Sequence, residues 1–91
     1  MSAAGRYTVF IKPAAERALK KIAQPTLRRI ANAIDNLGTN PRPPGVTALH
    51  GEPGLLRIRV GDYRIIYTVQ DDVLSILVIT IGHRRDVYQR R

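Results

Sequence analysis

The segment Leu55–Thr68, LLRIRVGDYRIIYT, decides the fold, because it contains two short apolar runs separated by Gly61–Asp62. Gly-Asp readily adopts positive φ angles, so the segment predicts two β-strands joined by a two-residue hairpin turn. A two-residue turn also fixes which residues face each other across the hairpin. The predicted cross-strand pairs are Val60–Tyr63, Arg59–Arg64, Ile58–Ile65, Arg57–Ile66 and Leu56–Tyr67.

This register divides the hairpin into an apolar face and a basic face, because side chains alternate along a strand. The basic face carries Arg57, Arg59 and Arg64, and the last two oppose each other directly. Opposed like charges destabilise a strand pair by some tenths of a kcal/mol up to about 1 kcal/mol. An anion bound between them would reverse that effect, so the pattern predicts a phosphate site. The alternative is a solvated face on which the long side chains splay apart.

Composition supports an anionic partner. The chain of 91 residues has room for one domain, residues 1–91, and carries a net charge of +8. Twelve of its fifteen basic residues are Arg, whose planar guanidinium matches phosphate geometry. The charge predicts nucleic acid or an acidic protein as partner, or else a cationic surface with no specific partner.

Several classes of protein are disfavoured. The chain has no Cys, which excludes disulfides and thiolate metal sites and fits a cytoplasmic protein. The N-terminus lacks the apolar run of a signal peptide, and the longest apolar run, Leu74–Ile81, is too short to span a membrane. His50 and His83 have no matched spacing or carboxylate cluster, so we expect no metal site and no cofactor.

The remaining sequence predicts a strand, two helices, a loop and one further strand. Arg6–Ile11 forms a short β-rich run, and Pro13 suits the first turn of a helix that ends near Gln24–Pro25. A second helix follows from Pro25, with Gly38 as its C-terminal stop. Thr39–Gly54 holds four of the six prolines and is predicted to be a loop. The order β-α-α-β-β-β predicts an α+β domain whose sheet packs one face on the helices.

The last strand, Leu74–Ile81, is expected to follow a turn at Asp71–Asp72. That turn would pair Ile66 with Leu77 and Arg64 with Ile79. His83 would then extend toward the basic face of the hairpin, unless Gly82 interrupts the strand.

Two strings together resemble the RelE/ParE toxin superfamily, on the RelE side. They are Arg57–Tyr67, RIRVGDYRIIY, and Ile79–Tyr88, ITIGHRRDVY. The resemblance covers nearly the whole chain and includes Ala18–Lys21, Asn40–Pro41 and Leu49–Gly51. It implies a microbial RNase-like fold, β-α-α-β-β-β(-α), in which a helix pair packs on one face of a twisted antiparallel sheet.

The resemblance also implies the function of a type II toxin. Such a toxin enters the ribosomal A site and cuts mRNA there, when the 2′-hydroxyl of the RNA attacks the adjacent phosphate. A RelB-like antitoxin would neutralise it, and the pair would bind operator DNA only as a complex. A DNA gyrase inhibitor of the ParE type on the same fold is one alternative, although such proteins generally lack the His/Arg/Tyr set of this C-terminal segment. A decayed toxin that only binds an antitoxin and, in the complex, operator DNA is another, against which the arginine set argues.

Site residues follow position by position from the resemblance. The implied catalytic residues are Arg64, His83, Arg84 and Tyr88, and the implied RNA phosphate-binding residues are Arg57, Arg59 and Arg85. Some relatives carry Lys at the positions of Arg57 and Arg59, and one such Lys has been proposed as the general base. Arg holds its proton too firmly for that role. The candidates for ribosome docking are Lys20, Lys21, Arg28 and Arg29, which an ordinary solvated helix surface would explain equally well.

Overall fold

The computed structural model describes residues 6–83, which form two helices and five strands. The strands are β1 (Thr8–Ile11), β2 (Thr47–Ala48), β3 (Leu56–Val60), β4 (Tyr63–Gln70) and β5 (Ser75–His83), and the helices are α1 (Pro13–Lys20) and α2 (Thr26–Leu37). The α+β class and the helix pair on one sheet face are confirmed. The optional C-terminal helix of the expected fold lies outside the described residues.

All five strands form one sheet in the order β1-β5-β4-β3-β2. The predicted hairpin is confirmed at every pair, from Leu56–Tyr67 to Val60–Tyr63, with Arg59 opposite Arg64. Gly61 has a φ of 60°, as the tight turn requires. The resemblance implied an antiparallel sheet, whereas the sheet is mixed, because β1 pairs with β5 in parallel. Parallel pairing needs a long connection between the two strands, and the chain between β1 and β5 includes both helices.

The predicted pairing of β4 with β5 is wrong in register. The turn spans four residues, Asp71 to Leu74, so Gln70 pairs with Ser75. The residue of this turn that adopts the left-handed conformation is Leu74, with a φ of 51°. A β-bulge then shifts the register again between Ile66 and Tyr67.

The bulge decides which side chains share a face near the end of β5. Arg64 pairs with Gly82, where Ile79 was expected, and Ile66 pairs with Thr80, where Leu77 was expected. Gly82 does not interrupt the strand, which continues to His83. His83 pairs with Tyr63 and therefore lies on the face opposite Arg64, so its expected position toward the basic face is wrong.

The helices are shorter or differently terminated than the sequence indicates. Pro13 occupies the first turn of α1 as predicted, but α1 ends at Lys20 instead of continuing to Gln24. Pro25 stands just before α2, and Gly38 follows its last residue with a right-handed φ of −63°. Gly38 is therefore not needed for a left-handed stop. A Cβ at this position would lie 3.0 Å from the carbonyl oxygen of Tyr7, so glycine permits close approach of the two backbones.

The predicted loop at Thr39–Gly54 contains one short strand. In β2, Thr47 pairs with Arg57 and Ala48 pairs with Leu56. Two residues flanked by prolines and glycines give little periodic signal, which explains why the sequence did not reveal this strand. Because β2 is so short, the outer edge of β3 beyond Arg57 pairs with no other strand in residues 6–83.

The hydrophobic core lies between the helix pair and the apolar face of the sheet. Its most buried large side chains are Ile30, Leu37, Ile65, Tyr67, Ile76 and Val78. The predicted apolar face of the hairpin supplies Ile58, Ile65 and Tyr67 to this core, and Leu56, Val60 and Tyr63 pack against it. The core thus leaves the opposite face of the sheet to carry the arginines. Within residues 6–83, neither helix has the length and apolar content needed to cross a membrane.

Candidate phosphate-binding face

The arginine face is the side of the sheet that points away from the helices, and it is defined here by Arg57 and Arg59 of β3 and Arg64 of β4. Alternation along the strands brings the three side chains to this one face, as the sequence predicted. From the register, the strand positions that share it on β1, β4 and β5 hold Thr8, Phe10, Ile66, Thr68, Gln70, Ser75, Leu77, Thr80 and Gly82. These positions include no Asp or Glu, so the charge of the face is strongly positive.

Within this face, the three arginines differ in exposure. Arg59 is exposed and Arg57 is half-buried, whereas Arg64 is 6% exposed. Ile66, two residues further along β4 on the same face, is 4% exposed. Arg64 is thus a charged group largely withdrawn from water on the side of the sheet that carries no hydrophobic core. Burying a charge costs several kcal/mol unless other groups compensate it, so this placement must be held by the surrounding structure.

Arg64 lies between two different neighbours in the sheet. Its partner on β3 is Arg59, and its partner on β5 is Gly82, which presents no side chain. Directly opposed residues of antiparallel strands hold their Cβ atoms about 5 Å apart. Two guanidinium groups anchored at that spacing can both donate hydrogen bonds to one phosphate.

His83 does not join the arginine face. Its ring packs edge-on against Tyr63, with ring centroids 5.5 Å apart and planes at 80°. Tyr63 itself packs on the hydrophobic core, so His83 is fixed at the end of β5 on the helix side. The preceding residue in the sequence, Gly82, pairs with Arg64, so His83 is one residue away from the strand position opposite Arg64.

The remaining predicted site residues fall into two groups. Arg84, Arg85 and Tyr88 lie outside the described residues. The docking candidates Lys20 and Lys21 stand at the end of α1, and Arg28 and Arg29 in the first turn of α2; all four are exposed. They therefore flank the α1–α2 connection and form a basic end of the helix pair.

A cleft that the sequence did not predict opens beside Arg59. It has a volume of about 590 Å³ and lies between the second half of α2, the loop after it and the edge of β3. Its lining includes Asn36, Asn40, Pro43, Ile58 and Arg59. The cluster of prolines after α2 predicted an irregular loop at this position. It did not predict that the loop would leave a cleft between itself and the sheet.

The loop that borders this cleft is fastened to the sheet by Arg42. Its guanidinium binds the carboxylate of Asp71 in a fork, at 3.2 Å and 2.9 Å, and the hydroxyl of Tyr7 donates to the same carboxylate at 2.6 Å. The hydrogen bond from Arg42, followed by that from Tyr7, lowers the pKa of Asp71. The bond to Asp71 in turn raises the pKa of Tyr7. The arrangement ties the loop, the N-terminal strand and the β4–β5 turn together.

A second contact holds the same loop against strand β4. The hydroxyl of Tyr67 donates to the carbonyl oxygen of Pro41 at 2.7 Å, and burial raises the pKa of Tyr67 to about 12. Neither tie involves the arginine face, so both act on the scaffold. Among residues 6–83, no three His, Asp or Glu side chains gather closely enough to hold a metal ion.

The fold is that of a small toxin of the RelE type. The family model described as the ParE toxin of the type II toxin-antitoxin system, parDE, matches residues 9–88. The chain belongs to this family, and it is a type II toxin of the RelE/ParE superfamily.

Similar proteins place the chain on the RelE side of the superfamily. It is 30% identical to RelE in the archaeal RelE–RelB complex from Pyrococcus horikoshii, with a TM-score of 0.77 over 94% of this chain and 99% of that one. RelG toxin of Mycobacterium tuberculosis is 28% identical over 85 residues, which is 92% of this chain and 98% of RelG. The RelBE2 complex of M. tuberculosis superposes at a TM-score of 0.77 with 26% identity, over 87% of this chain and 92% of that one. These relatives carry RelE-type names, so they do not favour the ParE-type gyrase inhibitor.

Proposed function

We propose that this toxin is a ribosome-dependent mRNA endonuclease that cuts mRNA in the ribosomal A site and thereby inhibits translation in the cytoplasm. The observation that carries the proposal is the arginine face, where Arg59 and Arg64 oppose each other and Arg64 is withdrawn from water. A sheet selected for stability alone gains nothing from this pairing, whereas an RNA phosphate bound between the two side chains compensates both charges.

The chemistry needs no cofactor. The 2′-oxygen of the RNA forms a bond to the adjacent phosphorus while the bond to the 5′-oxygen breaks, which leaves a 2′,3′-cyclic phosphate and a 5′-hydroxyl. Arg64 and Arg84 would stabilise the charge that develops on the phosphate oxygens. Arg57, Arg59 and Arg85 would hold neighbouring phosphates and align the 2′-hydroxyl with the scissile bond. Proton transfer falls to His83, Tyr88 or a group of the ribosome, because Arg does not release its proton at cellular pH.

Docking to the ribosome would use the basic end of the helix pair. Lys20, Lys21, Arg28 and Arg29 are exposed there, and contacts to ribosomal RNA phosphates require charge and no base reading. The arginine face lies on the other side of the sheet. One surface would therefore bind ribosomal RNA while the other bound the mRNA.

The partner that controls the toxin would be a RelB-like antitoxin, since the solved relatives from P. horikoshii and M. tuberculosis are toxin–antitoxin complexes. Operator DNA would be bound only by the complex of the two proteins. A net charge of +8 favours an antitoxin segment that is acidic.

Primer extension on a translated mRNA, with and without ribosomes, tests the proposal. We expect codon-phased cuts only when ribosomes are present. Arg64→Ala should lower the cleavage rate by roughly 10²–10³-fold, the loss typical of a group that stabilises charge in the transition state. Arg64→Ala combined with Tyr88→Phe should abolish growth inhibition while antitoxin binding persists.

Arg42→Ala is the matched control, because Arg42 contacts Asp71 on the scaffold and lies off the arginine face. It should leave the cut sites unchanged. Full toxicity of the double variant would refute the site assignment. Gyrase-linked DNA breaks without mRNA cuts would refute the endonuclease and support the ParE-type activity.

A further inference from the structure

Phe10 is an exposed aromatic residue on the arginine face, in the strand at the opposite edge of the sheet from β2 and β3. It is the single Phe of the chain, and its side chain is 55% exposed. It pairs with Leu77 of β5, whose sequence neighbours Ile76 and Val78 face the hydrophobic core. Phe10 and Leu77 therefore point to the side of the sheet away from the helices.

The scaffold does not account for the exposed ring of Phe10. The tyrosines among residues 6–83 are engaged in the fold, since Tyr7 and Tyr67 donate hydrogen bonds and Tyr63 packs edge-on against a histidine. Phe10 lies outside the hydrophobic core and the side chains that pack against it. A large aromatic ring left in water forgoes the stabilisation that burial would give, so its position on this face suggests a ligand.

The surroundings of Phe10 on this face are polar and uncharged. Side chains that can form hydrogen bonds occupy neighbouring positions of β1, β4 and β5, namely Thr8, Thr68, Gln70, Ser75 and Thr80. A sheet face with an exposed ring among hydroxyl and amide groups suits single-stranded RNA, whose bases stack on the ring while polar groups meet base edges and sugars. A protein partner would favour a contiguous apolar patch, and Leu77, the direct neighbour of Phe10, is half-buried.

The same face connects Phe10 with the arginines. On β5, the partner of Phe10 is Leu77. The partner of Arg64 on that strand is Gly82, five positions further along. A strand rises about 3.3 Å per residue and neighbouring strands lie about 4.8 Å apart, so Phe10 lies roughly 15–20 Å from Arg64. A single RNA strand of a few nucleotides spans this distance, and the described strand positions between the two residues carry no Asp or Glu to repel it.

We propose that Phe10 stacks on a base of the mRNA a few nucleotides away from the scissile phosphate, and that the polar face between Phe10 and Arg64 guides the strand. The inference rests on the proposed function, because it takes mRNA as the ligand. Every base has a π-face, so this contact holds the strand in place without selecting a sequence. Phe10 is thus a substrate-binding residue remote from the reacting atoms.

A fluorescence titration tests the stacking directly. The chain has no Trp, so Phe10→Trp introduces one fluorescent ring at the proposed site. A single-stranded 2′-O-methyl RNA oligonucleotide, which lacks the attacking hydroxyl, should quench the fluorescence of this variant as it binds. Ala14→Trp is the matched control, because Ala14 is exposed at the start of α1 on the other side of the sheet. Equal quenching of both variants, or none of Phe10→Trp while the labelled oligonucleotide binds, would overturn the inference.

Affinity measurements separate an aromatic contact from a general apolar one. Phe10→Leu should lower the affinity of the free toxin for the oligonucleotide by about tenfold, whereas Phe10→Tyr keeps the ring and should bind as the original chain does. The loss should be the same at every salt concentration, because stacking releases no counterions. Arg59→Gln should instead make the affinity less dependent on salt. An equal loss from Phe10→Leu and Phe10→Tyr would contradict stacking.

Cleavage of mRNA on translating ribosomes gives a third measurement. Phe10→Leu should raise the KM for these ribosomes by about tenfold and leave kcat unchanged, because the stacked base is held equally in the ground state and the transition state. A lower kcat with an unchanged KM would contradict the assigned role. Melting temperatures close to that of the original chain would show that the variant folds, as expected for an exposed position.

The remaining outcomes separate the two proposals. If the original chain cuts mRNA but Phe10→Leu changes neither KM nor oligonucleotide affinity, the inference fails and the proposed function stands. If the original chain cuts no mRNA, the proposed function fails and the inference fails with it. If Phe10→Leu weakens antitoxin binding while RNA binding is unchanged, Phe10 serves a protein partner and the inference is overturned.

Discussion

Arg59 and Arg64 oppose each other across β3 and β4, yet Arg59 is exposed whereas Arg64 retains only 6% of its accessible surface. The two arginines therefore differ in the conformational freedom of their side chains. Burial restricts the orientation of the Arg64 side chain, whereas the exposed Arg59 side chain is not confined in this way. Such a pair combines a preorganised donor with an adaptable one on a single anion.

Arg59→Gln should stabilise the free toxin and impair its activity. Removing one of two opposed cations relieves cross-strand repulsion and should raise the free energy of unfolding by about 0.2–1 kcal/mol at low salt. The gain should shrink as salt screens the repulsion, on a scale set by a Debye length of about 10 Å at 0.1 M. Urea unfolding at low and high salt measures the effect, and primer extension measures the accompanying loss of cleavage.

Arg57→Gln is the matched control for that experiment. Arg57 lies on the same strand and face, but its direct partner on β4 is Ile66 and Arg64 is only its diagonal neighbour, so less cross-strand repulsion is relieved. An equal stabilisation by both substitutions would mean that overall net charge matters and that the Arg59–Arg64 pair has no special effect.

Asp71→Asn should destabilise the toxin in a pH-dependent way. Hydrogen bonds from Arg42 and Tyr7 lower the pKa of Asp71, so the folded state favours the carboxylate. This contribution is complete above the ordinary carboxyl pKa of about 3.9 and is lost as the pH falls through the lower folded-state value. The unfolding curves of the two proteins should therefore differ near neutral pH and converge in strong acid.

Asp72→Asn serves as the comparison, since Asp72 follows directly in the same turn. It removes the same charge from the turn and leaves the contact of Asp71 with Arg42 and Tyr7 in place, so it should not lower the free energy of unfolding near neutral pH. If it destabilised the toxin as much as Asp71→Asn does, the net charge of the turn and not the contact with Arg42 and Tyr7 would be responsible.

The hairpin was predictable because its determinants are local. Gly61–Asp62 fixes a two-residue turn, and a two-residue turn fixes the register of both strands, so the grouping of Arg57, Arg59 and Arg64 follows from sequence alone. The helix–sheet core was predictable for a similar reason. The apolar stripe of α2 and the apolar face of the hairpin each require a partner surface, and the short chain offers only the other one.

The end of β5 was not predictable, because its register depends on a turn and a β-bulge that the hydrophobic pattern does not mark. A four-residue turn with Leu74 in a left-handed conformation replaced the expected turn at Asp71–Asp72, and a bulge after Ile66 changed the register again. A bulge reverses the face of every later residue and leaves little trace in the hydrophobic pattern. His83 consequently lies beside Tyr63 and away from Arg64, and its catalytic role stays a prediction.

Tyr67→Phe should lower the free energy of unfolding by about 1 kcal/mol, because it leaves the carbonyl oxygen of Pro41 without its buried donor. It should also flatten the alkaline dependence of stability. The raised pKa of Tyr67, about 12, stabilises the fold below the ordinary tyrosine pKa of about 10, and that contribution is lost as the pH rises to the folded-state value. Urea unfolding across this pH range measures both effects.

Tyr63→Phe is the control for this hydroxyl, because Tyr63 lies on the same strand and face and keeps its ring contact with His83 as Phe. A loss of stability from Tyr63→Phe equal to that from Tyr67→Phe would contradict a specific role for the Pro41 contact. The loop after α2 would then be held by packing alone.

Gly38→Ala should destabilise the toxin although the backbone angle at this position suits alanine. The added Cβ would lie 3.0 Å from the carbonyl oxygen of Tyr7 and 3.3 Å from that of Asp35. Both contacts are backbone atoms, and the amide of Tyr7 donates to Gly38 at 2.7 Å, so the start of β1 must move away from α2. Overpacking of this kind costs typically about 1–3 kcal/mol.

Thermal unfolding measures the loss, with Thr39→Ala at the next, exposed position as the control. If Gly38 merely ended the helix, as the sequence indicated, alanine with its φ of −63° would be tolerated and the melting temperature would not fall.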